Sequence, residues 1–295
     1  MFTGDKMDIR TDLALERREL LKGENPPGVE SKTYEKSKVV FTKIRITDES
    51  GAKSLGKPIG CYITAEIPSL MKTAVLDEKP ITAISDELRT LIPKEGSVLV
   101  VGLGNNDITP DAIGPESVEM VLATRHITDE LSESIGLGNL RPVAGFIPGV
   151  LGKTGIETAE SIKGLVNSVK PCAVIVIDAL AARKLERLGN TIQMSDTGIV
   201  PGSGVGNARA AVNEETLGVP VISIGVPTVT DAETLVNDLT DDNAQISRKE
   251  NKEMIITPRE IDLVVERASK IIAVSVNKAL QPHLSVDEIL MLVGK

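Results

Sequence analysis

The sequence predicts an α/β fold: a mostly parallel sheet sandwiched by helices, with an additional N-terminal antiparallel β region. Three observations predict it. Short β-branched runs at Ser97–Leu103, Val143–Ile147, Ala173–Ile177 and Val219–Ile224 read as strands. Helix-like segments at about 112–124, 156–170 and 259–280 alternate with them, and apolar strands spaced by helices are what a sheet covered on both faces produces. Earlier, at 39–67, Val39–Ile46 and Ile59–Ile67 form a β-rich subregion. Gly51, Gly56 and Pro58 punctuate the gap between its two stretches, which suggests antiparallel pairing.

The remaining segments follow from composition. Residues 1–37 are polar, are broken by Pro26-Pro27-Gly28, and read as an arm before the core. Thr240–Glu253 carries seven charged residues in fourteen and reads as an exposed loop. With 295 residues and 41% hydrophobic content the chain can bury a sizeable core. That core is aliphatic, since aromatics are 2% and Trp is absent. A net charge of −9 gives no global attraction to phosphate backbones or anionic lipid, and the few aromatics leave base stacking poorly supplied. Direct nucleic-acid binding is therefore not expected. Cys61 and Cys172 rule out a disulfide scaffold and suit a reducing compartment. The N-terminus has no apolar signal core, and no run approaches the ~18 apolar residues of a membrane helix. A cytoplasmic protein without membrane attachment is expected.

Ligands of open α/β sheets bind beyond the carboxyl ends of the strands, so those ends are the places to search. Gly102-Leu-Gly104 follows the first such strand, but Asp107 stands where a dinucleotide fingerprint would need a third glycine. Gly202-Ser-Gly-Val-Gly206 lacks the lysine of a phosphate-binding loop, although it could form an anion nest. Thr109 and Pro110 read as the N-cap and first residue of helix 112–124, putting Asp111 in its first turn. The helix dipole alone would favour an acid there. Asp178 ends an apolar strand and leads into Ala179-Leu-Ala-Ala182, where capping gives little reason for a carboxylate and a strand-to-helix cap is the alternative. Two aspartates at strand tips can share one proton, one serving as base and the other as acid. His126 and His283 are the only histidines, and neither sits in a zinc-protease motif, so no metal site is expected. Asp196-Thr-Gly198 matches the signature of all-β aspartic proteases, but in an α/β chain it reads as a turn.

Taken together, Arg10-Thr-Asp-Leu-Ala14, Val100-Val-Gly-Leu-Gly-Asn105, Thr109-Pro-Asp-Ala-Ile-Gly-Pro115, Thr124-Arg-His126, Pro148-Gly-Val150, Thr154-Gly-Ile-Glu-Thr158, Ile177-Asp-Ala-Leu-Ala-Ala-Arg183 and Pro201–Asn207 resemble one family. It is the spore germination proteases, endopeptidases of spore-forming Gram-positive bacteria that degrade small acid-soluble spore proteins. The resemblance covers nearly the whole chain in order and departs at Thr240–Glu253, where the family carries a longer insertion. It implies a fold similar to the hydrogenase maturation proteases and an atypical aspartic peptidase without cofactor. The catalytic positions fall on Asp111 and Asp178. It further implies a homotetramer in the forespore, made as a zymogen whose short propeptide is removed by self-cleavage on acidification.

Substrates of that family are cut after an acidic residue and before a large apolar one. Asp12-Leu13 has that character, which makes 1–12 the propeptide and 13–295 a single peptidase domain; Asp8-Ile9 is the competing site. Recognition of acidic residues calls for positive charge, and Arg125, Arg141, Lys153 and Arg183 flank the site motifs. Two other readings stay open: a metal-dependent maturation protease for a metalloenzyme, and a non-catalytic module binding anions through Gly202–Gly206.

Overall fold

The structure is a computed structural model that describes residues 10–21, 23–67, 77–206, 208–239 and 254–294. The Thr240–Glu253 segment and residues 1–9 of the expected propeptide lie outside the described residues. Among the described residues nine strands make one sheet: β1 (Val29–Lys36), β2 (Val39–Ile46), β3 (Gly60–Glu66), β4 (Val98–Gly102), β5 (Val143–Phe146), β6 (Ala173–Ala181), β7 (Thr191–Ser195), β8 (Val221–Asp231) and β9 (Ile255–Ile256). Their order is β1-β2-β3-β7-β8-β6-β4-β5, with β9 on β8. Strands β5, β4, β6 and β8 run parallel, while β1, β2, β3 and β7 form an antiparallel wing. The two regions are joined where β7 pairs antiparallel with both β3 and β8.

Period-two alternation explains how one sheet serves two layers. Ala173, Ile175 and Ile177 of β6 face one core, and Val174 and Val176 face the other. In chain order the helices are α1 (Ala14–Glu19), α2 (Glu49–Leu55), α3 (Glu78–Arg89), α4 (Ile113–Val118), α5 (Asp129–Ser134), α6 (Leu151–Thr154), α7 (Thr158–Val169), α8 (Glu214–Leu217), α9 (Ala232–Leu239), α10 (Ile261–Leu280) and α11 (Val286–Val293). Apolar residues of α3, α4 and α10 cover the first face, and those of α7 and α8 the second. Ala14 and Leu15 of α1 and Leu55 of α2 pack on Ile44, Ile46 and Tyr62 of the wing.

Three expectations need correction. The polar arm 1–37 contains α1 and β1. β1 reads as polar because it is an edge strand with most of its side chains exposed. The expected helix 112–124 is only Ile113–Val118, preceded by a 3₁₀ turn at Thr109–Asp111, so Thr109 lies within that turn. Helix α4 stops early because buried Asn277 of α10 meets its end: Asn277 Nδ2 donates to the Met120 carbonyl and Oδ1 accepts the Leu122 N–H. Finally, β6 does not end at Ile177. Its parallel ladder with β8 continues through Asp178↔Gly225, Ala179↔Val226 and Leu180↔Pro227 before the register shifts, so Asp178 is a strand residue and not a helix cap.

A buried ion cluster ties the N-terminal segment to the end of β6. Arg187 meets Glu16, Glu19 and Glu66. The Glu16 carboxylate, 1% exposed, also accepts the Arg183 N–H at 2.6 Å, the Lys184 N–H at 2.9 Å and the Thr11 hydroxyl. Without Glu16, Arg187 keeps Glu19 and Glu66, but the Arg183 and Lys184 N–H groups lose their acceptor, at about 1–3 kcal/mol each. Urea unfolding of Glu16→Ala should show a loss of that size, and a loss below about 1 kcal/mol would show that the cluster does not fasten the segment.

Candidate active site

Alternation places Asp178 on the Val174/Val176 side of β6, one residue beyond the pairing of Gly102 with Ile177. Strand β4 therefore ends beside it, and the Leu103 N–H donates to the Ile177 carbonyl at 2.8 Å. From β4 the chain crosses to β5 on one side, whereas β6 is followed toward β8 on the other. This reversal of strand order opens a crevice at the carboxyl ends. Asp178 is buried, and its Oδ1 accepts the Ala179 N–H at 2.9 Å.

Asp111 reaches the same crevice from the turn after β4. Three hydrogen bonds fix that turn: Asp111 N–H to the Ile108 carbonyl at 2.8 Å, Asn105 N–H to the Asp111 carbonyl at 3.0 Å, and Thr228 Oγ1 to the Pro110 carbonyl at 2.7 Å. Gly104 is required here. Its φ is +116°, and a Cβ would stand 1.9 Å from the Asp111 carbonyl oxygen. Gly104 thus lets the loop fold against the acidic turn.

Both carboxylates line a cleft of about 610 Å³. Burial pushes Asp111 up to about 6, against a smaller downward pull from the Asn105 backbone N–H. Burial also raises Asp178 well above the usual carboxylate range, and the negative charges of Asp111 and Asp12 raise it further. Asp178 is the more enclosed and faces two carboxylates, so it takes the first proton. Among the described residues no group of three or more His, Cys, Asp or Glu is placed to hold a metal.

Asp12 lines the same cleft. Its N–H donates to the Ala181 carbonyl at 2.9 Å, and its carboxylate accepts the Ala181 N–H at 2.8 Å and the Ser203 hydroxyl at 2.9 Å. Leu13 is fully buried against Leu180, Ala182 and Leu188. The segment expected to carry the processing site is therefore docked beside the two aspartates. The Gly202–Gly206 loop, weighed above as an anion nest, meets the chain's own Asp12 carboxylate through Ser203.

None of the four basic residues chosen from sequence lines the cleft. Arg141 precedes β5 and so lies at the opposite end of the sheet, where its guanidinium donates to the Pro93 and Gly96 carbonyls at 2.7 and 2.8 Å. Arg125 is exposed beside it, its N–H on the Val143 carbonyl. Lys153 pairs with Asp107. Arg183 gives its backbone N–H to Glu16. Among the described residues the cationic side chain lining the cleft is instead Arg209, and Lys57, Gln193 and Ser203 contribute side-chain hydrogen bonds to residues 12–14. Gln193 sits in a short β7 with no motif around it, and only Ser203 lies within a stretch marked by sequence.

Fold and site together define an α/β protein with a desolvated carboxylate pair suited to acid–base chemistry. Comparison with known proteins narrows the class. Residues 10–244 match the family model described as germination protease. Curated relatives include the germination proteases of Caldanaerobacter subterraneus subsp. tengcongensis (44% identical, covering 96% of this chain and 97% of the relative) and Clostridium tetani (42%, 96% and 98%). That of Bacillus thuringiensis subsp. konkukian is 46% identical over 80% of this chain and 67% of its own. The chain belongs to the germination protease family, a family of peptidases. Among solved structures, a [NiFe] hydrogenase maturation protease from Thermococcus kodakarensis aligns with a TM-score of 0.34 and 18% identity, over 64% of this chain and 98% of its own.

The site carries a stability cost with a defined sign. A carboxyl raised from 3.8 to about 6 destabilises the folded state by about 3 kcal/mol once ionised. The penalty is complete above pH 6, shrinks as the pH falls through 6, and vanishes below the unfolded value near 4. Asp111→Asn should therefore stabilise the protein at pH 7.5 and leave it unchanged near pH 4. Equal urea midpoints for variant and wild type at pH 7.5 would contradict this reading.

Proposed function

We propose that this protein is an endopeptidase that initiates degradation of small acid-soluble spore proteins during germination, acting through Asp111 and Asp178 without a cofactor. It is made as a zymogen, cuts itself between Asp12 and Leu13, and works as a homotetramer in the forespore cytoplasm. The observation that carries the reading is the convergence of Asp111, Asp178 and Asp12 on one cleft. Family membership supports the proteolytic activity and its place in germination. The described residues include no helix long and apolar enough to cross a membrane.

The chemistry follows from the order of protonation. As pH falls Asp178 takes its proton first and Asp111 stays ionised until about 6. In that window Asp111 accepts a proton from water as its oxygen bonds to the scissile carbonyl carbon. Asp178 donates its proton to the carbonyl oxygen or to the leaving amine. The C–N bond then breaks to give an acid and an amine, and the proton on Asp111 restores the singly protonated pair. With Asp178 holding its proton, stronger acid stops cleavage by filling Asp111 near 6.

The test uses the purified full-length chain with small acid-soluble spore proteins, with and without chelator, beside Asp111→Asn and Asp178→Asn. Chelator-insensitive cleavage is expected, falling at least about 1000-fold in either variant, with the acid limb of the rate near pH 6. N-terminal sequencing of processed protein should begin at Leu13. Full activity in either variant, a metal requirement, or a mature terminus at Ile9 would overturn the proposal.

A further inference from the structure

The mechanism above leaves a lysine unused in a place where a buried cation is costly. Lys57 follows α2 and reaches inward to a second cavity of about 270 Å³, which shares Asp12 with the cleft of the two aspartates. Its Nζ donates to the main-chain carbonyl of Asp12 at 2.9 Å. Gln193 Nε2 donates to the same oxygen, also at 2.9 Å. The other end of the Gln193 amide, Oε1, accepts the Ala14 N–H at 2.7 Å, so this one side chain brackets the Asp12–Leu13 bond. Burial lowers the lysine's proton affinity, the Asp12 charge opposes that, and Arg17 adds to it.

Two donors aimed at one carbonyl oxygen are the arrangement that stabilises the oxyanion formed when that carbonyl is attacked. The rest of Asp12 is gripped just as fully. Ala181 exchanges hydrogen bonds with its N–H and carboxylate, and Ser203 holds the other carboxylate oxygen. Gly204 permits this, because a Cβ there would stand 2.1 Å from Asp12 Oδ2. A longer side chain at 204 would fill the space that the acid occupies.

We infer that Lys57 and Gln193 are the oxyanion donors, and that Ala181, Ser203 and Gly204 form the subsite that selects an acidic residue before the scissile bond, with Asp12 occupying the place later taken by substrate. The inference rests on the proposed self-cleavage at Asp12-Leu13. It assigns acid recognition to a backbone N–H and a hydroxyl, and not to the arginines. It also settles the second proton transfer. With Lys57 and Gln193 on the carbonyl oxygen, the negative charge of the intermediate stays on that oxygen, and the Asp178 proton goes to the departing amine. Asp111 holds the proton from water, so atoms and charge balance.

The experiment measures self-processing of the full-length chain, and turnover by the processed enzyme of a synthetic peptide with the sequence of Met7–Arg17 and of the same peptide carrying Asp12→Asn. Lys57→Met should lower kcat about 100-fold with KM within about threefold. Lys57→Gln, which keeps an N–H donor, should recover part of that loss. Ser203→Ala should lower the preference for the Asp12 peptide over its Asp12→Asn form about tenfold. Thermal melting reports folding of each variant, and Ser203→Ala tests the subsite should Lys57→Met fail to fold. Wild-type kcat in folded Lys57→Met, or unchanged peptide preference in Ser203→Ala, would overturn the inference while Asp111→Asn remained inactive. Full activity of Asp111→Asn would instead overturn the proposed function itself.

Discussion

Everything at the head of the sheet depends on keeping the Asp178 carboxyl out of water. An aspartate in the middle of a ladder between two parallel strands has no solvent to stabilise its charge, so it holds a proton that an exposed aspartate would release. In the proposed mechanism that retained proton is the one Asp178 donates near neutrality. The rest of the site is arranged around it. The turn after β4 brings Asp111 to the same cleft with less burial, and the proposed mechanism uses it as the base.

The docked N-terminal segment is the second constraint. Asp12 is held by side chains and backbone from the loop after α2, β6, β7 and the Ser203 turn, and Glu16 locks the start of α1 to the loop after β6. Under the proposed self-cleavage, a segment bound this way would exclude other peptides from the cleft until the Asp12–Leu13 bond is cut. Cleavage after Asp12 would free the chain before it, while Leu13, Ala14 and Glu16 keep their buried contacts. Retention on one side of the bond and release on the other is what an activation step requires.

Much of this was legible in the sequence, and the rest was hidden for physical reasons. The four apolar runs marked the parallel strands because strands buried on both faces must be apolar throughout. The two aspartates were legible because each interrupts or follows such a run with a charge. The extension of β6 through Asp178 was not, since parallel pairing with β8 overrides the break that Asp178 suggests locally. Edge strand β1 was hidden by its exposed polar side chains. Arg141 seemed near the site motifs along the chain, but the residue before a parallel strand and the residue after one lie at opposite ends of the sheet. Lys57 and Gln193 meet Asp12 across separations of 45 and 181 residues. No local pattern could reveal them.

The central claim is the unequal proton affinity of Asp111 and Asp178, and the most direct measurement is a carboxyl ¹³C NMR titration of the full-length chain with aspartate labelled. Resonances are assigned from Asp111→Asn and Asp178→Asn. As pH is lowered, Asp178 should protonate first and Asp111 should follow with a midpoint near 6. Two resonances that both titrate near 3.8, as exposed aspartates do, would contradict the account.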